Sequence, residues 1–459
     1  MIRALLVSLM LLFCATAGKA ANLFLHSFTR SQLTDKFWAE GVHAADFNRD
    51  GEIDIAYGPY WFAGPQFTNR HEYRPASASF IRKLPNGSTE TIAGFEGALG
   101  ENNAYSDCFL NYIYDFNGDR WPDILVYGFP GKEAAWYENP KASQGRRNLH
   151  SLEGAELHSA HESSKQADGQ WKRHVILDVV DNESPGFADV TGDGKPEITC
   201  CSGGYMGYAQ ADWKKPEAPW TFHPITPKGD YQRFTHGLGV GDVNGDGRVD
   251  FIEKDGWWEQ PESLSGDPIW KKHPFKFGNG GAQMFAYDVN GDGLNDVITS
   301  LEAHGYGVAW FEQVHTSGQI DFREHIIVGR EPAENPYGVN FSQPHAMELV
   351  DMDGDGVKDI ITGKRFWAHG SHGDPEPNAP TVLYWFQLVR KGGGRAEFIP
   401  RLVDNDSGVG TQVTATRISN KKFPDLIVGN KKGLFFFRHE TKKATTAEWN
   451  AAQPKRIAP

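Results

Sequence analysis

One nine-residue pattern returns along almost the whole chain and constrains its fold more than any other feature. It reads DFNRDGEID at 46–54, DFNGDRWPD at 115–123, DVTGDGKPE at 189–197, DVNGDGRVD at 242–250, DVNGDGLND at 288–296 and DMDGDGVKD at 351–359. RISNKKFPD at 417–425 is a worn seventh copy that keeps only the final aspartate. Short apolar or alternating runs flank each copy, as Leu238 to Val243 and Val297 to Leu301 do, which is strand, tight acidic turn, strand. Aromatic segments follow, such as PYWF at 59–62 and GWWEQ at 256–260, and several units end on a fourth run such as WKRHVIL at 171–177.

Four short strands per repeated unit predict an all-β propeller, and seven acidic turns predict seven blades. The last unit lacks a closing strand, while Leu23 to Thr29 near the N-terminus has no partner of its own. Used as the outer strand of the last blade, it closes the ring and leaves no free sheet edge. The expected organisation is a signal peptide at 1–20, a propeller at 21–440 and a flexible tail at 441–459.

At these residues the chain resembles the FG-GAP or VCBS repeat family, the integrin-alpha-like propellers. That resemblance implies seven blades with calcium in the turn between the first and second strands. Oxygen donors in such turns suit a hard divalent ion, with glycine letting the backbone curl around it. The ligands expected are Asp46, Asn48, Asp50 and Asp54; Asp115, Asn117, Asp119 and Asp123; Asp189 and Asp193; Asp242, Asn244, Asp246 and Asp250; Asp288, Asn290, Asp292 and Asp296; and Asp351, Asp353, Asp355 and Asp359. Arg120 in place of glycine and Thr191 in place of an amide weaken the second and third copies. An EF-hand is rejected, because only the copy at 242 has a glutamate at the twelfth position, Glu253, and Gly-Leu-Gly-Val-Gly is no entering helix. The alternative is that these aspartates build hydrogen-bonded turns without metal.

Met-Ile-Arg3, an apolar run to Ala17 and then Gly18-Lys19-Ala20 follow the order of a secretory signal, which points to a secreted or periplasmic protein. No other run is long and apolar enough to insert in a membrane. Acidic residues outnumber basic ones by 59 to 46, so there is no basic footprint for nucleic acid. Cys108, Cys200 and Cys201 make no disulfide framework.

If the acidic turns occupy one face of the ring, residues leading into first strands and out of second strands share the other. Those positions carry His236, His345, Gln283, Asp255, Trp257, Glu302, His304, Lys364, Arg365, His369 and His372. Glu302, His304, His369 and His372 are candidate ligands for a zinc-like catalytic ion, separate from the structural calcium. Tyr60, Asp255, Trp257, Gln283 and Tyr306 are candidate sugar-binding groups. Histidines at blade ends, His174, His223, His273 and His325, recur in outer strands and are read as part of the repeat.

The segments HGLGVGD, QPHAMELVD and LEAHGYG are similar to the propeller domain of aldos-2-ulose dehydratase and related keto-sugar lyases. This narrower resemblance implies elimination from an oxidised sugar, with a metal on the keto oxygen, His236 or His345 as base, and Lys364 or Arg365 on the enolate oxygen. The chain lacks that enzyme's cupin-type domains. The competing expectation is a calcium-stabilised propeller that binds glycan or protein without catalysis. A hydrolase is a third, with no carboxylate pair that spacing alone can place.

Overall fold

The computed structural model describes residues 23–76, 79–83, 87–93, 106–141, 170–419 and 422–457; the signal segment expected at 1–20 lies outside them. Its strands form an all-β propeller. Five four-stranded sheets stand as separate blades, built on Val42–Ala45, Leu110–Tyr114, Gly186–Ala188, Met347–Val350 and Val413–Thr416 as their inner strands. Phe24–Thr34 is the outer strand of the last of these, antiparallel to Gly433–Lys443, with Phe24 opposite Lys443.

The expectation of seven separate blades is corrected. The repeats at 242 and 288 do not stand apart but form one continuous eight-stranded sheet, joined where Leu238–Val240 pairs in parallel with Gln283–Phe285. Glycine makes this join possible. A Cβ on Gly239 would sit 1.9 Å from the Met284 carbonyl oxygen, and one on Gly241 would sit 2.8 Å from the Ala286 Cβ. A separate two-stranded ribbon, Ser79–Lys83 with Thr89–Ala93, lies outside the four-stranded plan.

The ninth residue of each turn has a job unlike the one the spacing suggests. Asp54 is fully buried and accepts the Phe47 N–H at 2.8 Å and the Gly64 N–H at 2.9 Å. Asp123, Asp250, Asp296 and Asp359 repeat this, each joining the N–H seven residues earlier to an N–H within or just past the third strand. Glu197 bonds the corresponding Val190 N–H. Asp425 does the same between Ile418 and His439, which explains why the worn seventh copy keeps this residue alone.

Calcium in the turns is therefore not demonstrated. Carboxylates at the first and fifth positions accept backbone N–H groups of their own turns, as Asp242 does from Gly245, Asp246 and Gly247, the hydrogen-bonded alternative. Among the described residues, the turn of Asp351, Asp353 and Asp359 is the one acidic turn that brings three carboxylates within ligand distance of one another.

Blade cores are aromatic, and outer-strand histidines cap them. His71 stacks on Trp61 at 4.1 Å, His174 on Trp136 at 4.2 Å, His273 on Trp257 at 4.0 Å and His325 on Trp310 at 4.3 Å. Near the axis, glutamine amides tie inner strands together. Gln412 accepts from Val42 N–H and Asn111 N–H and donates to Asn111 O, and Gln283 links Met347 N–H to Thr411 O. Cys108, Cys200 and Cys201 are buried free thiols. Beyond the last strand, Thr446–Ala451 forms a short helix whose hydroxyl cap is Thr445, and Ile457 N–H donates to Pro336 O. Among the described residues no helix is long and apolar enough to cross a membrane.

Candidate metal centre

Four repeats place an ionisable residue six positions before the first aspartate of the turn: Glu40, Glu183, His236 and His345. Each therefore stands where its chain segment runs into an inner strand, and the ring closure turns these positions toward one another. Glu183, His236 and His345 meet His304, which follows the second strand Asp296–Ser300. One ligand atom from each of the four lies within 4.8 Å of all the others.

The distances are those of donors around a common point. His236 Nε2 is 3.0 Å from His304 Nε2, His345 Nε2 is 3.1 Å from Glu183 Oε2, and His236 Nε2 is 3.6 Å from the same oxygen. Donors about 2.1 Å from a shared ion lie about 3.0 Å apart at an octahedral edge and about 3.4 Å apart at a tetrahedral one. Neither ring nitrogen of His345 makes a hydrogen bond, nor do Glu183 Oε2 and His304 Nδ1, although all are buried. Buried polar atoms without partners are costly, and a cation between His345 Nε2 and Glu183 Oε2, 3.1 Å apart, would satisfy both of those atoms. The inner half, Glu183 and His345, is closed to solvent, while His236 and His304 keep 18 % and 23 % of their side chains exposed.

The deprotonated states of these groups favour binding. Burial alone would raise the Glu183 carboxyl, but His345 Nε2, 3.1 Å away, and the charges of His345, His236 and Arg365 hold it down to about 2. Burial, with Arg365 beside it, lowers His345 to about 4, and burial lowers His236. His304 is pushed far below the usual imidazole range by burial and by His345. At neutral pH the group is thus one carboxylate and three neutral imidazoles, the forms that bind metals.

Behind this group lies a buried cation layer. Arg365 Nε and Nη2 donate to Glu40 Oε1 at 3.0 and 2.5 Å, and Nη1 lies 3.6 Å from Glu183 Oε2. Lys364 is fully buried and donates to Ser342 Oγ at 2.5 Å; Lys431 donates to Trp367 O. Burial lowers both lysines to about 8. A second donor group adjoins the first: His304, His369 and Asp374.

Of the residues expected at the site, His236, His345 and His304 are brought together, with Arg365 against them and His369 next to His304. Both candidate bases have become members of a ligand set. Other expected residues lie elsewhere. Trp257 and Tyr60 are buried in blade packing and offer no face to a ligand. Gln283 spends its amide on Met347 and Thr411. Asp255 pairs with Lys254 and Lys276. The Tyr306 ring lies under the Arg330 guanidinium, and Glu302 and His372 are exposed outside both donor groups. Glu183 and Asp374 belong to the two donor groups but are absent from the expected ligands. The six-residue offset shared with His236 and His345 would have found Glu183; nothing in the sequence marks Asp374.

No family model matches the chain, and no curated protein matches it. Several solved structures are similar to it. An Agrocybe aegerita lectin that recognises non-reducing terminal N-acetylglucosamine is 18 % identical, with 83 % of this chain and 81 % of that one covered and a TM-score of 0.39. The exotype rhamnogalacturonan lyase YesX is 11 % identical over 90 % of this chain and 72 % of its own, with a TM-score of 0.36. The BBS1N–ARL6DN complex gives 10 % identity, coverage of 92 % and 97 %, and a TM-score of 0.41. These proteins are diverse, and at such values none carries a function to this one. The resemblance to FG-GAP or VCBS propellers, and the narrower one to aldos-2-ulose dehydratase, are therefore corrected to a β-propeller of no assigned family. The motif behind the first is accounted for by the buried carboxylate that fastens each turn.

Proposed function

We propose that this protein works outside the cytoplasm as a metal-dependent carbohydrate-active lyase, its ion held by Glu183, His236, His304 and His345. The observation that carries the reading is the convergence of three neutral imidazoles and one carboxylate within 4.8 Å, with buried His345 Nε2 and Glu183 Oε2 lacking hydrogen bonds. A six-coordinate ion on four protein donors keeps two positions for neighbouring oxygens, such as the ketone and adjacent hydroxyl of an oxidised sugar. When bound, such an ion supplies Lewis acidity to the ketone oxygen, making the α-proton acidic. That proton and the β-oxygen substituent would leave together as water or an alcohol, with a carbon–carbon double bond forming between the two carbons. Glu183 and Arg365 fix the charge on the inner side, and the exposed edges of His236 and His304 mark the side from which a sugar approaches.

A second reading has support in the donor count. Four ligands can saturate a tetrahedral ion, which is the closed arrangement of a structural site. The propeller would then bind glycan or protein without catalysis. Cobalt(II) separates the two, since four-coordinate cobalt absorbs visible light strongly and six-coordinate cobalt weakly. The lyase reading expects weak absorption that shifts with 2-keto or 3-keto glycosides, followed by ultraviolet absorbance of a conjugated enone. An intense spectrum indifferent to sugar, with no enone formed, would overturn it in favour of the second.

A further inference from the structure

The inference here rests on the ion-binding reading above and extends it to a second ion. Among the described residues, His304 is the one member shared by the two histidine-containing donor groups. Its ring presents a different nitrogen to each. Nε2 faces His236 Nε2 at 3.0 Å, inside the first group. Nδ1 points the other way, is buried without a hydrogen bond, and stands 3.5 Å from Asp374 Oδ1. That separation is too long for a hydrogen bond, so Asp374 does not simply orient the ring as a carboxylate behind a metal-bound histidine does. The same Oδ1 lies 2.8 Å from His369 Nδ1, and the His369 ring centre is 4.5 Å from that of His304. Asp374 is nearly closed to solvent and His369 is about half exposed, so the group has a fixed inner side and an open outer one.

We propose that His304 Nδ1, His369 and Asp374 hold a second divalent transition-metal ion, and that the His304 ring bridges it to the ion held by Glu183, His236 and His345. Bond lengths of about 2.0 Å on each side of one imidazole put the two ions about 6 Å apart. Binding of the second ion displaces the remaining ring proton of His304 to solvent, leaving an imidazolate. The open side of His369 leaves the outer ion free to take a further oxygen of a bound ligand.

Copper(II) is the probe, because two copper ions joined through an imidazolate couple magnetically and lose paramagnetic signal. The full chain is titrated with copper(II), with bound metal measured by elemental analysis and spins by electron paramagnetic resonance. The expected result is two ions per chain with well under two spins. In Asp374→Asn and in His369→Ala one ion remains with its full single-spin signal, and thermal melting confirms that both variants fold. One ion per wild-type chain, unchanged in Asp374→Asn, would overturn the second site and leave the first intact. Two ions with full, uncoupled signals would overturn the bridge. No ion in the wild type would sink both this proposal and the ion-binding reading beneath it.

Discussion

Replacing Arg365 by methionine tests the charge layer under the metal centre. The guanidinium is 1 % exposed and faces Glu40, 2 % exposed, and Glu183, 6 % exposed. Removing one partner of a buried ion pair costs about 3–5 kcal/mol, because the other charge stays buried and uncompensated. Lys431, whose charge also acts on Glu40, offsets part of this and places the expected loss near the lower end, about 3 kcal/mol. With unfolding entropy of about 2.1 cal/mol/K per residue over the roughly 390 described residues, that loss lowers the midpoint by about 4 °C. Scanning calorimetry at pH 7 measures it. Adding Glu40→Gln to the variant removes the stranded charge and should recover at least half of the loss. Arg365→Lys should not recover it, since one ammonium cannot reproduce the paired contacts to Glu40. A midpoint within 1 °C of wild type, or a double variant no better than the single one, would refute the argument that charge compensation holds this layer together.

Asp425→Ala orphans the N–H groups of Ile418 and His439 and should cost about 2–5 kcal/mol in denaturant unfolding, whereas exposed Asp406→Ala should cost under about 1 kcal/mol. Gly239→Ala drives a methyl into the Met284 carbonyl and should break the parallel join of the eight-stranded sheet, seen as loss of soluble protein or a lowered melting midpoint. Burial raises Glu348 to about 7 from an ordinary 4.5, with Lys358 pulling the other way. The folded state then holds a proton that the unfolded chain has lost, so this group's contribution is intact below pH 4.5 and disappears as pH rises through 7. Glu348→Gln should raise the melting midpoint at pH 8 and leave it nearly unchanged at pH 4.5.

The propeller was legible because its repeat is local: strand, turn and strand lie within one short window, and the unpaired run at the N-terminus pointed to closure by Phe24–Thr34. The number of separate blades was not. Whether adjacent inner strands pair depends on how closely two backbones approach, and the glycines that allow it look like ordinary turn and strand glycines in the sequence. The acidic turns misled for a physical reason, since the same aspartate can ligate an ion or fasten a loop through backbone N–H groups. Burial, which sequence does not display, separates Asp54 and Asp425 from their exposed neighbours. At the centre, the shared offset marks His236 and His345; Glu183 stands at the same offset, but a single glutamate entering a strand carries no metal-ligand signal of its own in an acidic chain. Asp374 could not be placed at all, because its approach to His304, 70 residues earlier, depends on tertiary folding that no local pattern records. Trp257 misled in the opposite sense, for an aromatic beside an acidic turn packs as readily inward as outward.

The pairing of Phe24–Thr34 with Gly433–Lys443 has a consequence for synthesis. Among the described residues, the first strand has no partner until the last one has been made, so for nearly the whole of translation it is an unsatisfied sticky edge. A nascent chain of this kind has to be kept from pairing with its neighbours over that interval. The same adjacency of the ends, Phe24 opposite Lys443, means the chain could be joined there and reopened in another turn without losing a ladder.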